Sequence, residues 1–208
     1  MRWAVKREAP RQQSAAEGLA CRGIGRHFRP PFQGLAFSPA FSQNPAGTLT
    51  HRACITTNRS AFSSLGKFLE RLDPFLADWP DDVPVAVEVR NKNWLVPELF
   101  DCLRRHRAAH VLADQVWMPA PLSLVQKTDV VTGPFAYVRL LGDRQAVDAL
   151  TKTLDHIVID RGEEVRNDAE AICLLADKVP VLAYVNNHFA GYGPGTAEEL
   201  RRAIQARA

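Results

Sequence analysis

Long apolar runs, paired cysteines and glycine-rich phosphate loops are all missing from these 208 residues. No apolar stretch approaches the roughly 18–20 residues of a membrane-spanning helix, which argues against a transmembrane protein. The opening MRWAVKREAP is charged and lacks the apolar segment of a signal peptide. Cys21, Cys54, Cys102 and Cys173 lie far apart with no Cys-x-x-Cys pair. Reduced thiols are therefore expected, and a disulfide framework or zinc knot is not. No Gly-rich loop follows an apolar run, so a nucleotide P-loop and a dinucleotide fingerprint are both excluded. Close pairs of imidazoles are absent, and no Ser or Cys sits in a nucleophile-elbow context. With 46% apolar and 24% charged residues, the composition is that of a soluble globular protein, expected in the cytoplasm as one sizeable domain.

Charge is unevenly spread. Residues 1–60 hold nine Lys/Arg against two Asp/Glu, a net +7, whereas the remainder holds 17 against 21, a net −4. A basic N-terminal third would attract nucleic acid. No basic helix face repeats there, however, and a solvated segment is the preferred reading.

The chain divides near residue 60. Residues 1–60 read as an irregular, basic segment with two candidate remnant strands, WAVK at 3–6 and GLAFS at 34–38, and with no clear element from 39 to 60. From 61 to 208 the pattern is regular. Phe62, Leu65, Phe68, Leu69, Leu72 and Phe75 recur at helical spacing, with Ser60 or Ser63 as N-cap. Apolar runs at 83–89, 110–114, 135–142 and 179–187 read as buried strands. Helices are expected at 97–107, about 145–157, 163–176, and from Thr196, where TAEE forms a capping box. Strands apolar on both faces, alternating with amphipathic helices, point to a parallel α/β architecture. The polar residues that end every strand favour a TIM-like (β/α) barrel over an open doubly wound sheet.

In such a barrel the C-terminal strand ends converge on one mouth. Four runs deliver polar groups there: Glu88 and Arg90, then Asp114, then Tyr137 and Arg139, then Asn186, Asn187 and His188. Two guanidinium groups with amides suit a phosphate or carboxylate held by bidentate hydrogen bonds. Glu88 and Asp114 are the candidate catalytic acid and base. Arg90, Trp94, Tyr137, Arg139, Asn186, Asn187 and His188 are candidate ligand-binding residues. A metal held by Glu88, Asp114 and His188 is conceivable, but no metal is assigned. Single residues of this set serve equally well as structural ion pairs. Trp94 either covers the mouth or packs the following helix, and the long connection after Asp114, with Trp117 and three prolines, reads as a lid. The remaining histidines, His27, His51, His106, His110 and His156, read as loop, surface or helix-end residues.

The motifs AVEVRNKNWL, AD at 113–114, TGPFAYVRLLGDR and YVNNHFAGYGPGTAEEL resemble, in order, those of the domain of unknown function 72 (YecE-like) family. The resemblance covers about residues 65–205. It implies a TIM-like barrel in a bacterial protein of no established activity, and the family's polar motif positions match the rim residues named above. The N-terminus departs from the family pattern, which opens on Gly-Thr-Ser-Gly-Trp. RWAVKREAP resembles the second family strand and GLAFSP a remnant of the third, so the barrel is expected to be incomplete at its N-terminus. The functional expectation is a protein that binds a small anionic molecule at the barrel mouth, with acid–base catalysis left open and no cofactor identified. The alternatives are a non-catalytic nucleic-acid-binding protein and an inactive remnant. No membrane partner is expected.

Overall fold

A strand whose two faces are both apolar must be covered on both sides, and the alternation of inward and outward side chains shows how this chain does it. The computed structural model describes residues 5–6, 35–43, 49–57 and 62–207. The strands are β1 (Val5–Lys6), β2 (Leu35–Gln43), β3 (Leu49–Thr57), β4 (Val85–Glu88), β5 (Ala109–Gln115), β6 (Ala136–Gly142) and β7 (Val181–Val185). The helices are α1 (Leu65–Ala77), α2 (Pro97–Arg105), α3 (Pro121–Lys127), α4 (Arg144–Leu150), α5 (Gly162–Ala176) and α6 (Gly193–Gln205). The strands form a sheet in the order β1-β7-β6-β5-β4-β3-β2. All neighbours are parallel except β2, which pairs antiparallel with β3. Pro39, which has no N–H to donate, lies on the outermost strand, where a proline does least harm to a ladder.

Two apolar layers lie on the helical side of the sheet. Val85, Val87 and Val89 pack with Phe68, Leu72 and Phe75 of α1 and Leu99 and Leu103 of α2. Leu112, Val138, Leu140, Ala183 and Val185 pack with α5 and α6. The alternate residues Cys54, Ala86, Ala109, Val111, Tyr137 and Leu182, with Phe135 just before β6, form a third layer to which no helix contributes. Helices on one face and a strand-lined interior on the other define a TIM-like β/α barrel. It is an open arc among the described residues, because β1 and β2 do not pair with each other.

Several sequence expectations shift. The stretch 39–60 holds most of a strand hairpin rather than no element. The N-cap of α1 is Ser64, whose Oγ accepts from Lys67 N at 3.3 Å, and neither Ser60 nor Ser63 fills that role. The helix expected to reach residue 157 stops at Leu150. There Thr151 Oγ1 donates to Thr153 O at 2.7 Å and accepts from Thr153 N at 3.1 Å, a local bonding pattern that competes with helix continuation. The last helix begins at Gly193 rather than Thr196, with Pro194 tolerated in its first turn. Thr196 is buried inside the helix and bonds back to Tyr192 O. The connection after Asp114 carries α3 and so is an ordinary β/α unit. His110 is a core residue of β5, set edge-on to Phe100, and burial pushes its imidazole down to about 4. No described helix is long and apolar enough to cross a membrane. Of the nine basic residues in the N-terminal third, only Lys6 and Arg52 fall within described strands, so the nucleic-acid expectation lies largely outside the described residues.

Candidate functional site

The inward parity of β4 puts Glu88 at the end of the interior layer, where it is wholly buried. A carboxylate taken out of water is strongly disfavoured unless both oxygens find donors. Arg90 Nε donates to Oε1 at 2.8 Å, and Arg139 Nη1 donates to Oε2. Arg139 comes from β6, two strands away, beside the small Ala113 of β5, which leaves the long guanidinium room to cross. Thr57 Oγ1 donates to Glu88 O at 3.3 Å and ties the backbone of the strand end to β3. The triad carries one net positive charge. Arg139 Nε is buried and finds no partner among the described residues.

Both arginines open onto a cleft of about 890 Å³ at the C-terminal ends of the strands. Its walls add Gln115 and Trp117 from the end of β5, Arg144 and Asp148 from α4, Lys152 just after it, and Asn186 and His188 from the end of β7. Arg144 Nε lies 3.1 Å from Asp148 Oδ2, and this hydrogen bond holds the Asp148 carboxyl below its usual range. Gln115 Oε1, like Arg139 Nε, is buried without a partner among the described residues. Two residues that line the cleft thus each bury one polar atom, a donor and an acceptor, that no described group matches. Buried polar groups in native proteins are nearly always bonded, and exceptions mark places where something else binds.

The two asparagines after β7 divide their work by parity. Asn186 Oδ1 accepts from His188 N at 2.9 Å and lies 3.0 Å from His188 Nδ1, so it holds the imidazole in the cleft wall. His188 Nε2 is 3.3 Å from Asp148 Oδ1. Asn187 Oδ1 instead accepts from Gly193 N at 2.9 Å and supplies the first turn of α6 with an acceptor. Gly142 makes this junction close. It ends β6 at φ +66°, and an added Cβ would lie 2.5 Å from Phe189 Cα.

Three sequence-derived candidates lie elsewhere. Asp114 falls on the opposite parity to Glu88 and turns towards the helices. It bonds Asp168 of α5, and burial raises its carboxyl above the usual range, against the opposing charge of Arg161. Asp168 is pushed up to about 9, by burial first and by the Asp114 charge second. Register shifts between Asp114 and Gln115. Alternation puts Gln115 on the same face as Ala109 and Val111, and so into the cleft in place of the carboxylate. Trp94 is buried against α1, stacked on Phe68 at 5.2 Å and 15°, and therefore packs the helix rather than the mouth. Tyr137 lies inward but deeper, 5.7 Å from Tyr184, and burial raises its phenol. Among the described residues Glu88, Asp114 and His188 do not form a metal-sized group. Sequence reasoning missed Gln115, Arg144 and Lys152. Gln115 lies one residue beyond the apolar run at 110–114 and so reads as loop, and the helix-side cations look like ordinary surface charge.

Helices outside, a strand-lined interior and a polar mouth at the strand ends make this a protein of the β/α-barrel class. The family described as protein of unknown function DUF72 matches residues 59–208, and the chain belongs to it. A solved DUF72 family protein from Thermotoga maritima superposes with a TM-score of 0.56 at 21% identity, covering 73% of this chain and 56% of that one. One from Enterococcus faecalis superposes with a TM-score of 0.54 at 17% identity, covering 73% and 57%. At these identities the likeness is one of fold, and the chain spans less than two thirds of either structure. No curated protein matches the chain.

Proposed function

We propose that the cleft binds a small molecule bearing a phosphate or carboxylate. The observation that carries this reading is the buried Glu88, which spends both oxygens on Arg90 and Arg139 and so aims two oriented guanidinium groups at one cleft. Oriented guanidinium groups bind anions through paired hydrogen bonds, and the net positive charge of the triad is left for the ligand to neutralise. The volume of about 890 Å³ falls in the range of small-molecule sites. Glu88 acts as the anchor of the arginines in this reading. His188 is the titratable cleft group placed to move a proton, with Asp148 and Asn186 orienting it. Asp114 has no part in the chemistry.

A thermal-shift screen against inorganic phosphate and phosphorylated or carboxylated metabolites tests the reading. Binding to the native state raises the melting temperature, by about 2.7 kcal/mol of stability at a hundredfold excess over Kd. Arg139→Ala should abolish the shift, and Trp94→Phe should leave it unchanged. A ligand whose shift survives Arg139→Ala binds elsewhere and refutes the assignment.

A further inference from the structure

At the end of the sheet opposite the cleft, α1 and α2 bring a thiol, an imidazole and a carboxylate together. Cys102 and His106 lie four residues apart, on one face of α2 and its C-terminal cap. Asp73 reaches them from α1. The three donor atoms all lie within 4.8 Å of one another, and this is the one such group of His, Cys and acidic side chains among the described residues. A single oxygen joins them: Asp73 Oδ1 lies 2.7 Å from His106 Nε2 and accepts from Cys102 Sγ at 3.5 Å. Arg105 Nη2 donates to the same oxygen at 2.8 Å.

We propose that Asp73, Cys102 and His106 bind a divalent cation of the zinc class, clamping α1 to α2. One sulfur, one nitrogen and one oxygen donor form a set that suits zinc, whereas calcium and magnesium select oxygen alone. With metal–ligand bonds of about 2.0–2.3 Å, tetrahedral ligands sit roughly 3.3–3.6 Å apart. The Cys102–Asp73 separation of 3.5 Å already matches. The His106–Asp73 separation of 2.7 Å has to open by less than an ångström, as a hydrogen bond gives way to a bridging ion. On binding, the Cys102 S–H bond breaks and its proton leaves to solvent. His106, whose Nε2–H donates to the Asp73 carboxylate in the metal-free protein, releases that proton, retains or takes up one on Nδ1 by exchange with solvent, and offers Nε2 to the ion. Arg105, more than half exposed, swings away from Asp73. The Asp73 carboxyl is held down to about 2 by Arg105 and His106, so an anionic donor is present at neutral pH.

A cysteine nucleophile fits the same cluster poorly. The thiol donates to the carboxylate instead of the imidazole, and burial with the nearby Asp73 charge pushes it up to about 11, away from a reactive thiolate.

Titrating chelator-treated full-length protein with cobalt(II) tests the site, because a thiolate ligand adds an intense near-ultraviolet charge-transfer band that oxygen and nitrogen ligands do not. One equivalent of cobalt should produce that band, one equivalent of zinc should bleach it, and zinc should raise the melting temperature by several degrees. Cys102→Ser should remove the band and His106→Gln should weaken cobalt binding at least tenfold. His106 is partly exposed and its replacement spares the core, so it keeps the test meaningful if Cys102→Ser does not fold. Absence of the band at one equivalent, or a band and affinity unchanged in His106→Gln, overturns the proposal. A band that survives in folded Cys102→Ser does the same, since it must arise at Cys21, Cys54 or Cys173.

Discussion

Two buried carboxylate centres sit at the ends of neighbouring strands and have opposite surroundings. Glu88 ends β4 on the inner face, between two guanidinium groups. Asp114, near the end of β5, turns to the helical face, where its hydrogen-bond partner is a second acid, Asp168. The two centres are alike in sequence, each an acid closing an apolar run. Parity separates them, because adjacent residues on a strand face opposite sides of the sheet. On the inner side the carboxylate is stabilised by cations and organises a cleft. On the outer side a low-dielectric helix interface with a like charge favours the neutral form of one acid.

The strongest way to break this contrast is Glu88→Ala. It leaves two guanidinium groups facing each other without their anion, and breaking a buried ion pair costs about 3–5 kcal/mol. Arg90 is about one-third exposed and recovers some hydration, so the expected loss is near the lower end, about 3 kcal/mol, read from urea denaturation. A loss under about 1 kcal/mol would show that solvent replaces the carboxylate and that Glu88 is not an anchor.

A pH series sharpens the other side. Asp168 titrates at about 9 in the folded protein, against roughly 3.9 when unfolded. Between those values the native state holds a proton that the unfolded state has lost. Its stabilisation is complete below about pH 4 and declines as pH rises towards 9, at up to about 1.4 kcal/mol per pH unit. The melting temperature of the native sequence should therefore fall more steeply from pH 5 to 9 than that of Asp168→Asn. Parallel curves would mean that the pair does not share a proton. Smallest of the three is Arg90→Ala. Glu88 keeps Arg139 as partner, and a partly exposed pair contributes about 1 kcal/mol or less. Ligand affinity should suffer more than stability, which paired melting and binding measurements would separate.

Much of the architecture was legible in residue order. Apolar runs separated by amphipathic helical segments implied parallel strands, and β4, β6 and β7 fall within those runs while β5 exceeds its run by one residue at each end. The rim at Glu88, Arg90 and Arg139 was legible too, although 51 residues separate Glu88 from Arg139. Parallel strands bring like ends together whatever the loops between them contain. The pairing of Asn187 with Gly193 spans a short turn, but its role as the acceptor at the start of α6 depended on where that helix begins, which the TAEE pattern placed three residues late.

What residue order determined by itself was periodicity: which segments are strands, which face of each helix is apolar, and which polar groups end the strands. These are local properties, set by backbone geometry and by the cost of exposing apolar surface. Only the tertiary structure decided which way each strand end faces. That structure gives the cleft the amide of Gln115 and turns Asp114 towards Asp168 of α5. It also decided that Trp94 packs on Phe68 and that Asp73 meets Cys102 and His106 across two helices. Such pairings depend on the phase of one element against another, and that phase follows from packing between segments that the sequence keeps apart.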